Sequence, residues 1–207
     1  IFTNGGNNCG SNAPLGLPTL SYDVVKKSAL ICNFKYTTQF NTQSKTPIWV
    51  AHVLKKSDFQ NANYTERTND FREDKNLKQY SPKPSDYTRS GFDRGHLAPA
   101  ADFSYSEKAM SESFIMTNIA PQNPQLNRGM WADLEKSTRG LLKYKDINDI
   151  YVVTGTLYYK NTSLGEFNGI QIPTHFYKVI IEPQHGYSAA YLIPNDGSAV
   201  NHFSQYL

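Results

Sequence analysis

Apolar residues along the 207-residue chain cluster and alternate in a way that predicts several β-strands. The segment 47–54 (PIWVAHVL) is almost continuously apolar. Such a run is typical of a strand buried on both faces, so we expect it to be central in a sheet. The other segments with strand character are 30–40, 113–120, 149–158, 170–181 and 187–194.

A different period marks residues 130–144, where apolar positions follow the 3, 4, 7 spacing of one helical face. These positions are Trp131, Leu134, Thr138, Leu141 and Leu142. We also expect a short polar helix near 105–112, an irregular lead-in over 1–20 and a long polar loop over 55–91. Loops of that length in compact domains are often functional. Strands with inserted helices predict a single α+β domain over 1–207, with a central antiparallel sheet flanked by helices.

Composition and charge narrow the class of protein. Hydrophobic residues make up 39% of the chain and aromatic residues 13%, which is globular and favours strands. No apolar run approaches the length of a membrane span, so we expect no membrane partner. The net charge is only +3, and 19 of the 21 Lys and Arg lie in 1–150. This concentration of positive charge would attract a polyanion, although an ordinary surface of mixed charges explains it equally well.

The two cysteines, Cys9 and Cys32, are predicted to form one disulfide, with two buried free thiols as the alternative. The chain begins at Ile1 rather than Met, from which we expect that a secretion signal has been removed. Together these features predict a secreted or periplasmic protein.

The segment SGFDRGHLAPAADF (90–103) places His96 directly after a glycine, with no periodicity that would bury it. The missing side chain of Gly95 lets another group or a ligand come close. Histidine is the usual side chain for taking a proton near neutral pH. The segment is therefore either a solvated turn or a presentation of the imidazole for chemistry.

Two polar residues downstream fit the second interpretation. Asn127 precedes the predicted helix, where it would be an N-cap or would offer its amide oxygen to a hard cation such as Mg²⁺. Glu135, two turns into the helix, would hold metal-bound water or form an exposed i,i+4 pair with Arg139. A base, a cation and nearby arginines make a workable phosphodiesterase site.

The 90–103 segment, taken with TNIAPQNPQLNRGMWADLE (117–135), closely resembles the DNA/RNA non-specific endonucleases of the ββα-metal (His-Me finger) superfamily. The upstream stretches ERTNDFRED (66–74) and WVAHVL (49–54) are similar to the endonuclease G branch and its secreted bacterial relatives. The resemblance runs from about residue 15 to the end of the chain. It implies a ββα-metal core at about 88–145.

The resemblance also implies roles for individual residues. His96 looks like the general base, Asn127 like the direct ligand of Mg²⁺ (with Mn²⁺ or a similar divalent cation able to substitute), and Glu135 like the acid that orients metal-bound water. Arg94 and Arg139 look like arginines that organise the centre or contact phosphate.

Three further positions are implied less directly. Asn118 resembles a polar residue in or next to the metal's ligand shell. Arg67 looks like the arginine that stabilises the pentacoordinate phosphorus, with Arg72 close enough to exchange with it. Asp93 is expected to brace the hairpin rather than contact metal.

The activity that the resemblance implies is Mg²⁺-dependent hydrolysis of both DNA and RNA to 5′-phosphate ends. We expect nucleic-acid substrates and either a monomer or a homodimer. Whether a protein inhibitor binds is left open. The alternatives are a catalytically weak nucleic-acid-binding or uptake module of the same fold, and a phosphodiesterase for small substrates. The other histidines are expected to be packed in strands (His52, His175) or to lie in turns (His185, His202).

Overall fold

A six-stranded antiparallel sheet forms the centre of the computed structural model, which describes residues 9–60, 62–159, 163–199 and 202–207. Its strand order is β1-β2-β3-β6-β9-β10. A second, two-stranded sheet pairs β4 with β5, and a third pairs β7 with β8. The strands are β1 (Ser28–Cys32), β2 (Tyr36–Asn41), β3 (Thr46–Lys55), β4 (Asp93–His96), β5 (Ile119–Gln122), β6 (Asp149–Leu157), β7 (Glu166–Phe167), β8 (Ile170–Gln171), β9 (His175–Glu182) and β10 (Tyr187–Pro194).

The helices of the described residues are short except for the last. They are α1 (Cys9–Asn12), α2 (Tyr22–Lys26), α3 (Lys56–Phe59), α4 (Glu107–Ser113), α5 (Pro124–Arg128) and α6 (Met130–Gly140). Single 3₁₀ turns occur at Lys78–Tyr80, Pro84–Tyr87, Ala100–Phe103, Met116–Asn118, Leu141–Lys143 and Phe203–Tyr206. None of the helices in these described ranges is long and apolar enough to cross a membrane.

The main core lies between the six-stranded sheet and α6. Burial alternates along β9, so that Phe176 and Ile180 face inward. They meet the buried face of α6, where the Trp131 ring lies 5.5 Å from that of Phe176 and Leu134 is 1% exposed. Burying one such side chain stabilises the fold by about 1.5–3 kcal/mol. This packing holds α6 at a fixed place over the sheet.

The structure confirms the predicted α+β class, the central antiparallel sheet and the disulfide. Cys9 in α1 is bonded to Cys32 at the end of β1, with the two Cα atoms 5.0 Å apart. The strand predicted at 47–54 is the long β3, which pairs with neighbours on both sides. Of the predicted lead-in, residues 1–8 lie outside the described residues.

Three of the strand predictions are wrong in part, and one of them, 170–181, divides into β8 at its start and β9, which begins only at His175. The segment 30–40 is not one strand, because the chain turns at residues 33–35 and returns as β2 beside β1. Most of 113–120 is not strand either, since α4 ends at Ser113, a 3₁₀ turn follows and β5 begins only at Ile119. Here Phe114 and Met116 are buried by packing from other elements. A short apolar run looks the same whether it is a buried strand or a turn covered by other elements.

Candidate active site

The second sheet and the helices after it form a ββα unit. β4 and β5 run antiparallel, with Asp93 opposite Gln122 and His96 opposite Ile119. Directly after β5, Pro124 opens α5, and α6 follows from Met130. The unit therefore brings α5, which contains Asn127, next to the strand that carries His96.

His96, the last residue of β4, lies between two aromatic rings and is 9% exposed. Its ring centroid is 5.4 Å from that of Phe71 and 4.8 Å from that of Phe114. Burial, reinforced by the positive charge of Arg67, lowers the pKa of His96 to about 3. The imidazole is therefore neutral at physiological pH and keeps a lone pair that can accept a proton.

Gly95 allows a side chain of the neighbouring strand to come close. A Cβ at this position would lie 2.4 Å from Oε1 and 2.6 Å from Cβ of Gln122, which no ordinary side chain could tolerate. Gln122 is fully buried beneath the strand. The close approach that the sequence predicted at Gly95 is thus made by the protein itself.

Asn127 lies inside α5, and its side chain contacts Asp93. Its Nδ2 donates to Oδ2 of Asp93 over 2.8 Å. Arg128 binds the same carboxylate with two donors, at 2.8 Å and 2.6 Å. The N-cap alternative for Asn127 is wrong, because the cap of α5 is Asn123, whose Oδ1 accepts from the backbone of Gln125.

The amide of Asn118 is fully buried and completely bonded to backbone. Its Oδ1 accepts from the backbone N–H of Ala98, and its Nδ2 donates to the carbonyls of Ala98 and Ser113, all within 2.8–2.9 Å. The segment that follows His96 is therefore fixed to the end of α4. This geometry makes Asn118 a residue that positions the site.

Asn195, just after β10, also links separate backbone segments through hydrogen bonds of its side-chain amide. Its Nδ2 donates to the carbonyls of Pro121 and Pro173 at 3.0 and 2.8 Å, and its Oδ1 accepts from the backbone of Asn123. It ties the end of β5 and the start of α5 to the main sheet. The sequence gives no signal for this role, since an Asn in a PNDG stretch resembles an ordinary turn residue.

Glu135 and Arg139 lie on successive turns of α6, close to buried charged residues of other elements. Arg139 Nη1 donates to Oδ1 of Asp102 at 2.7 Å, and Oδ2 of Asp102 bonds to His52 Nε2 at 2.8 Å. Burial raises the pKa of Glu135 to about 7, against the attraction of Lys178. The exposed Glu135–Arg139 pair considered from sequence is therefore replaced by a half-buried pair whose charged neighbours, Asp102 and Lys178, are buried.

Lys178 was missed by the sequence analysis. It is 1% exposed on β9, where Nζ donates to Thr154 Oγ1 at 2.7 Å and lies 4.7 Å from the Trp131 ring centroid. Strand alternation contained the signal, because Lys178 occupies the inward position between Phe176 and Ile180. His52 is packed in its strand as predicted, at 1% exposure.

Two of the candidate arginines lie over the rings that hold His96. The Arg67 guanidinium is 4.8 Å from the Phe114 ring centroid, and that of Arg94 is 4.8 Å from the Phe71 ring centroid. Arg72 is instead bound to Asp70 and to the carbonyl of Ser111. Of the two exchangeable candidates, the structure brings Arg67 to the His96 side.

The donor set fits a hydrated divalent cation of the kind that the resemblance implies. Among the described residues no cluster of three or more His, Cys, Asp or Glu could hold a metal ion. Mg²⁺, however, keeps several waters and takes few protein ligands. With Nδ2 of Asn127 engaged by Asp93, Oδ1 is turned away from that carboxylate and suits a hard cation.

Comparison with known proteins gives consistent matches over most of the chain. A sequence profile described as DNA/RNA non-specific endonuclease matches residues 17–206. Endonuclease G, mitochondrial, of Homo sapiens is 35% identical over 184 residues, covering 83% of this chain and 58% of that protein. A nuclease of Nostoc sp. is 35% identical over 156 residues, covering 73% and 54%. The chain thus spans somewhat more than half the length of these relatives.

A solved structure shares the fold. A chain from the crystal structure of an EndoG/EndoGI complex superposes with a TM-score of 0.82 at 27% identity, covering 99% of this chain and 86% of that one.

Proposed function

Since the chain belongs to the DNA/RNA non-specific endonuclease family, we propose that it is a Mg²⁺-dependent nuclease that hydrolyses phosphodiester bonds of DNA and RNA. The observation that carries this proposal is the ββα unit itself. It presents a neutral, buried His96 on β4, and it fixes the Asn127 amide through the Asp93 carboxylate of the same strand. A site that grips phosphate and metal carries no base readout, which fits action on both nucleic acids.

In this mechanism His96 accepts a proton from the attacking water, whose oxygen forms the new bond to phosphorus. The bond from phosphorus to the 3′ oxygen breaks, leaving a 5′-phosphate and, once the leaving oxygen is protonated, a 3′-hydroxyl. Arg67 and Arg94, stacked on the rings beside His96, hold the non-bridging oxygens.

Asn127 would hold the cation through Oδ1, and Glu135 would hold one of its water ligands. When bound, the cation supplies positive charge that neutralises the phosphate and the leaving oxygen. Arg139 is held by Asp102 and keeps Glu135 in a positively charged surrounding.

The test is nicking of supercoiled plasmid by the wild type and by His96→Ala, with Mg²⁺ and with EDTA. We expect EDTA-sensitive nicking by the wild type, and a loss of about 10²–10⁴-fold in His96→Ala without loss of DNA binding in EDTA. His202→Ala, an exposed histidine in a turn, is the matched control and should cleave normally. Normal cleavage by His96→Ala would disprove the assigned base, and binding without EDTA-sensitive cleavage would identify a binding module instead.

The choice between polymer and small substrates is tested with bis-p-nitrophenyl phosphate. A nuclease should strongly prefer long DNA and should lose that preference as salt is raised, because phosphate contacts release counterions. The Cys9–Cys32 disulfide supports the proposal that the protein works in an oxidising compartment, secreted or periplasmic.

A further inference from the structure

A groove lined by cations lies at the end of α6, beside the candidate site. It encloses about 470 Å³. The side chains that define it are Lys56, Phe59, Tyr64, Arg139, Lys143 and Lys145. Gln60 and Leu142 complete the lining, so four of its eight residues are cations, and no carboxylate of the described residues is among them. We call it the basic groove.

One of the cations fixes the shape of the basic groove. Lys56 Nζ donates to the backbone carbonyls of Tyr144 and Lys145, the latter at 3.1 Å. The turn after α6 is therefore tied to α3, which places Lys143 and Lys145 on one wall. An ammonium has three donors, so Lys56 keeps one for an anion.

The nearest acid on α3 does not neutralise this charge. Asp58 lies 3.6 Å from Lys35 and lines a different hollow, together with Asn12 and Phe34. Lys143 and Lys145 are both exposed. These two lysines thus present positive charge to solvent, whereas Arg139 is paired with Asp102.

Arg139 links the groove to the residues of the candidate site. That arginine lines the groove and also bonds to Asp102 beneath the site, one helical turn from Glu135. The groove also carries an exposed aromatic ring, since Tyr64 is 67% exposed. Cations along a channel with an exposed ring are the features that bind a nucleic-acid strand, through phosphates and through base stacking.

We propose that the basic groove binds the sugar-phosphate backbone of the substrate strand on one side of the scissile bond. Lys143 and Lys145 contact successive phosphates, and Tyr64 stacks on an unpaired base. The inference rests on the proposed nuclease function and names where the rest of the strand lies.

The experiment measures binding of a 20-nucleotide single-stranded DNA by fluorescence anisotropy in EDTA, from 50 to 200 mM salt. For Lys143→Gln/Lys145→Gln we expect affinity to fall roughly tenfold or more and the slope of log K against log salt to become shallower by about 1.4, two phosphate contacts. For Tyr64→Ala we expect a loss on the order of tenfold with an unchanged slope, because stacking releases no counterions.

The matched control is Lys26→Gln/Lys27→Gln, which removes two exposed charges near the β1 edge of the sheet and should keep the wild-type slope. Equal slopes for the two double variants, with both folded by circular dichroism, would overturn the proposal. The two ideas fail separately. Wild-type protein that binds through the groove but does not cleave would refute the nuclease function alone. Cleavage by the wild type, with groove substitutions that leave DNA binding unchanged, would refute the groove proposal alone.

Discussion

The carboxylate of Asp93 on β4 holds the side-chain amide of Asn127 on α5, with Oδ2 2.8 Å from Nδ2. An ionised carboxylate accepts hydrogen bonds and cannot donate, so Nδ2 must face Asp93 and Oδ1 must face away. Burial alone would raise the pKa of Asp93, but hydrogen bonds from Arg128 and Asn127 outweigh it and hold that pKa below its usual value. The orientation of the Asn127 amide is therefore set by the strand that carries His96.

This relationship predicts the effect of Asp93→Asn on metal binding. The new amide can donate from its own NH₂ group. Oδ1 of Asn127 could then face residue 93, which would leave Nδ2 toward the cation. We expect Mn²⁺ affinity, measured by isothermal titration calorimetry, to fall about 10–100-fold, as for other residues that orient a ligand.

Asp133→Asn, on the first turn of α6, is the control because it removes the same charge from an exposed position. It should bind Mn²⁺ nearly as the wild type does. Wild-type affinity in Asp93→Asn would show that Asp93 does not orient the ligand.

The contact between Gly95 and Gln122 predicts that Gly95→Ala is destabilising. The added methyl would overlap the Gln122 side chain at 2.4–2.6 Å, and relief requires a shift of β4. We expect a loss of about 1–3 kcal/mol in the free energy of unfolding, measured with urea.

Gly140→Ala provides the comparison, because a Cβ there meets nothing within 4 Å. Its stability should be unchanged or slightly higher, since alanine has less conformational entropy to lose than glycine. If both variants unfold at the same urea concentration, the close packing at Gly95 is refuted.

The raised pKa of Glu135 predicts how stability depends on pH. Its folded-state pKa of about 7 lies above the ordinary value of 4.5, so the folded protein binds this proton more tightly than the unfolded chain does. The resulting stabilisation is full below pH 4.5 and is lost as pH rises through 7.

Glu135→Gln cannot ionise, so its stability relative to wild type should rise between pH 5 and pH 8 by about 2 kcal/mol. Urea unfolding of both proteins at the two pH values measures this difference, and titrations of groups that do not interact with Glu135 cancel in it. A difference of the opposite sign would mean that the carboxylate is stabilised in the fold.

The disulfide predicts a stability effect that depends on the redox state. It joins residues 23 positions apart, and removing such a link costs about 3 kcal/mol in the free energy of unfolding. The Cys9→Ser/Cys32→Ser variant should show this loss, and dithiothreitol should lower the wild type to the same level without affecting the variant. A wild type indifferent to dithiothreitol would contradict the prediction.

Much of the main sheet could be predicted from the chain because its strands show their burial pattern locally. The segment 47–54 is apolar throughout since β3 is paired on both sides, and 187–194 matches β10. The segment 113–120 could not be assigned correctly, because Phe114 and Met116 are buried by residues of helices and loops as well as strands. Periodicity reports burial, and it does not report which element provides it.

The candidate site was predictable as a set of residue types, while its internal contacts were not. Nothing in the local sequence distinguishes Arg67 from Arg72, and only the fold shows that one lies over Phe114 and the other is bound to Asp70. The link from Arg139 through Asp102 to His52 joins three distant segments. Such long-range pairings depend on topology, which single-residue patterns do not contain.

The frame around His96 is fastened by carboxamides, Asn118 on one side and Asn195 on the other, each bonded to main-chain oxygens. Neither group carries charge or titrates, so high salt would leave the frame in register while weakening the binding of a polyanion. Inhibition by salt should therefore appear as a higher KM that saturating substrate overcomes, with kcat largely preserved. The catalytic region would thus stay rigid, while the ionic strength of the solution sets the affinity for the substrate.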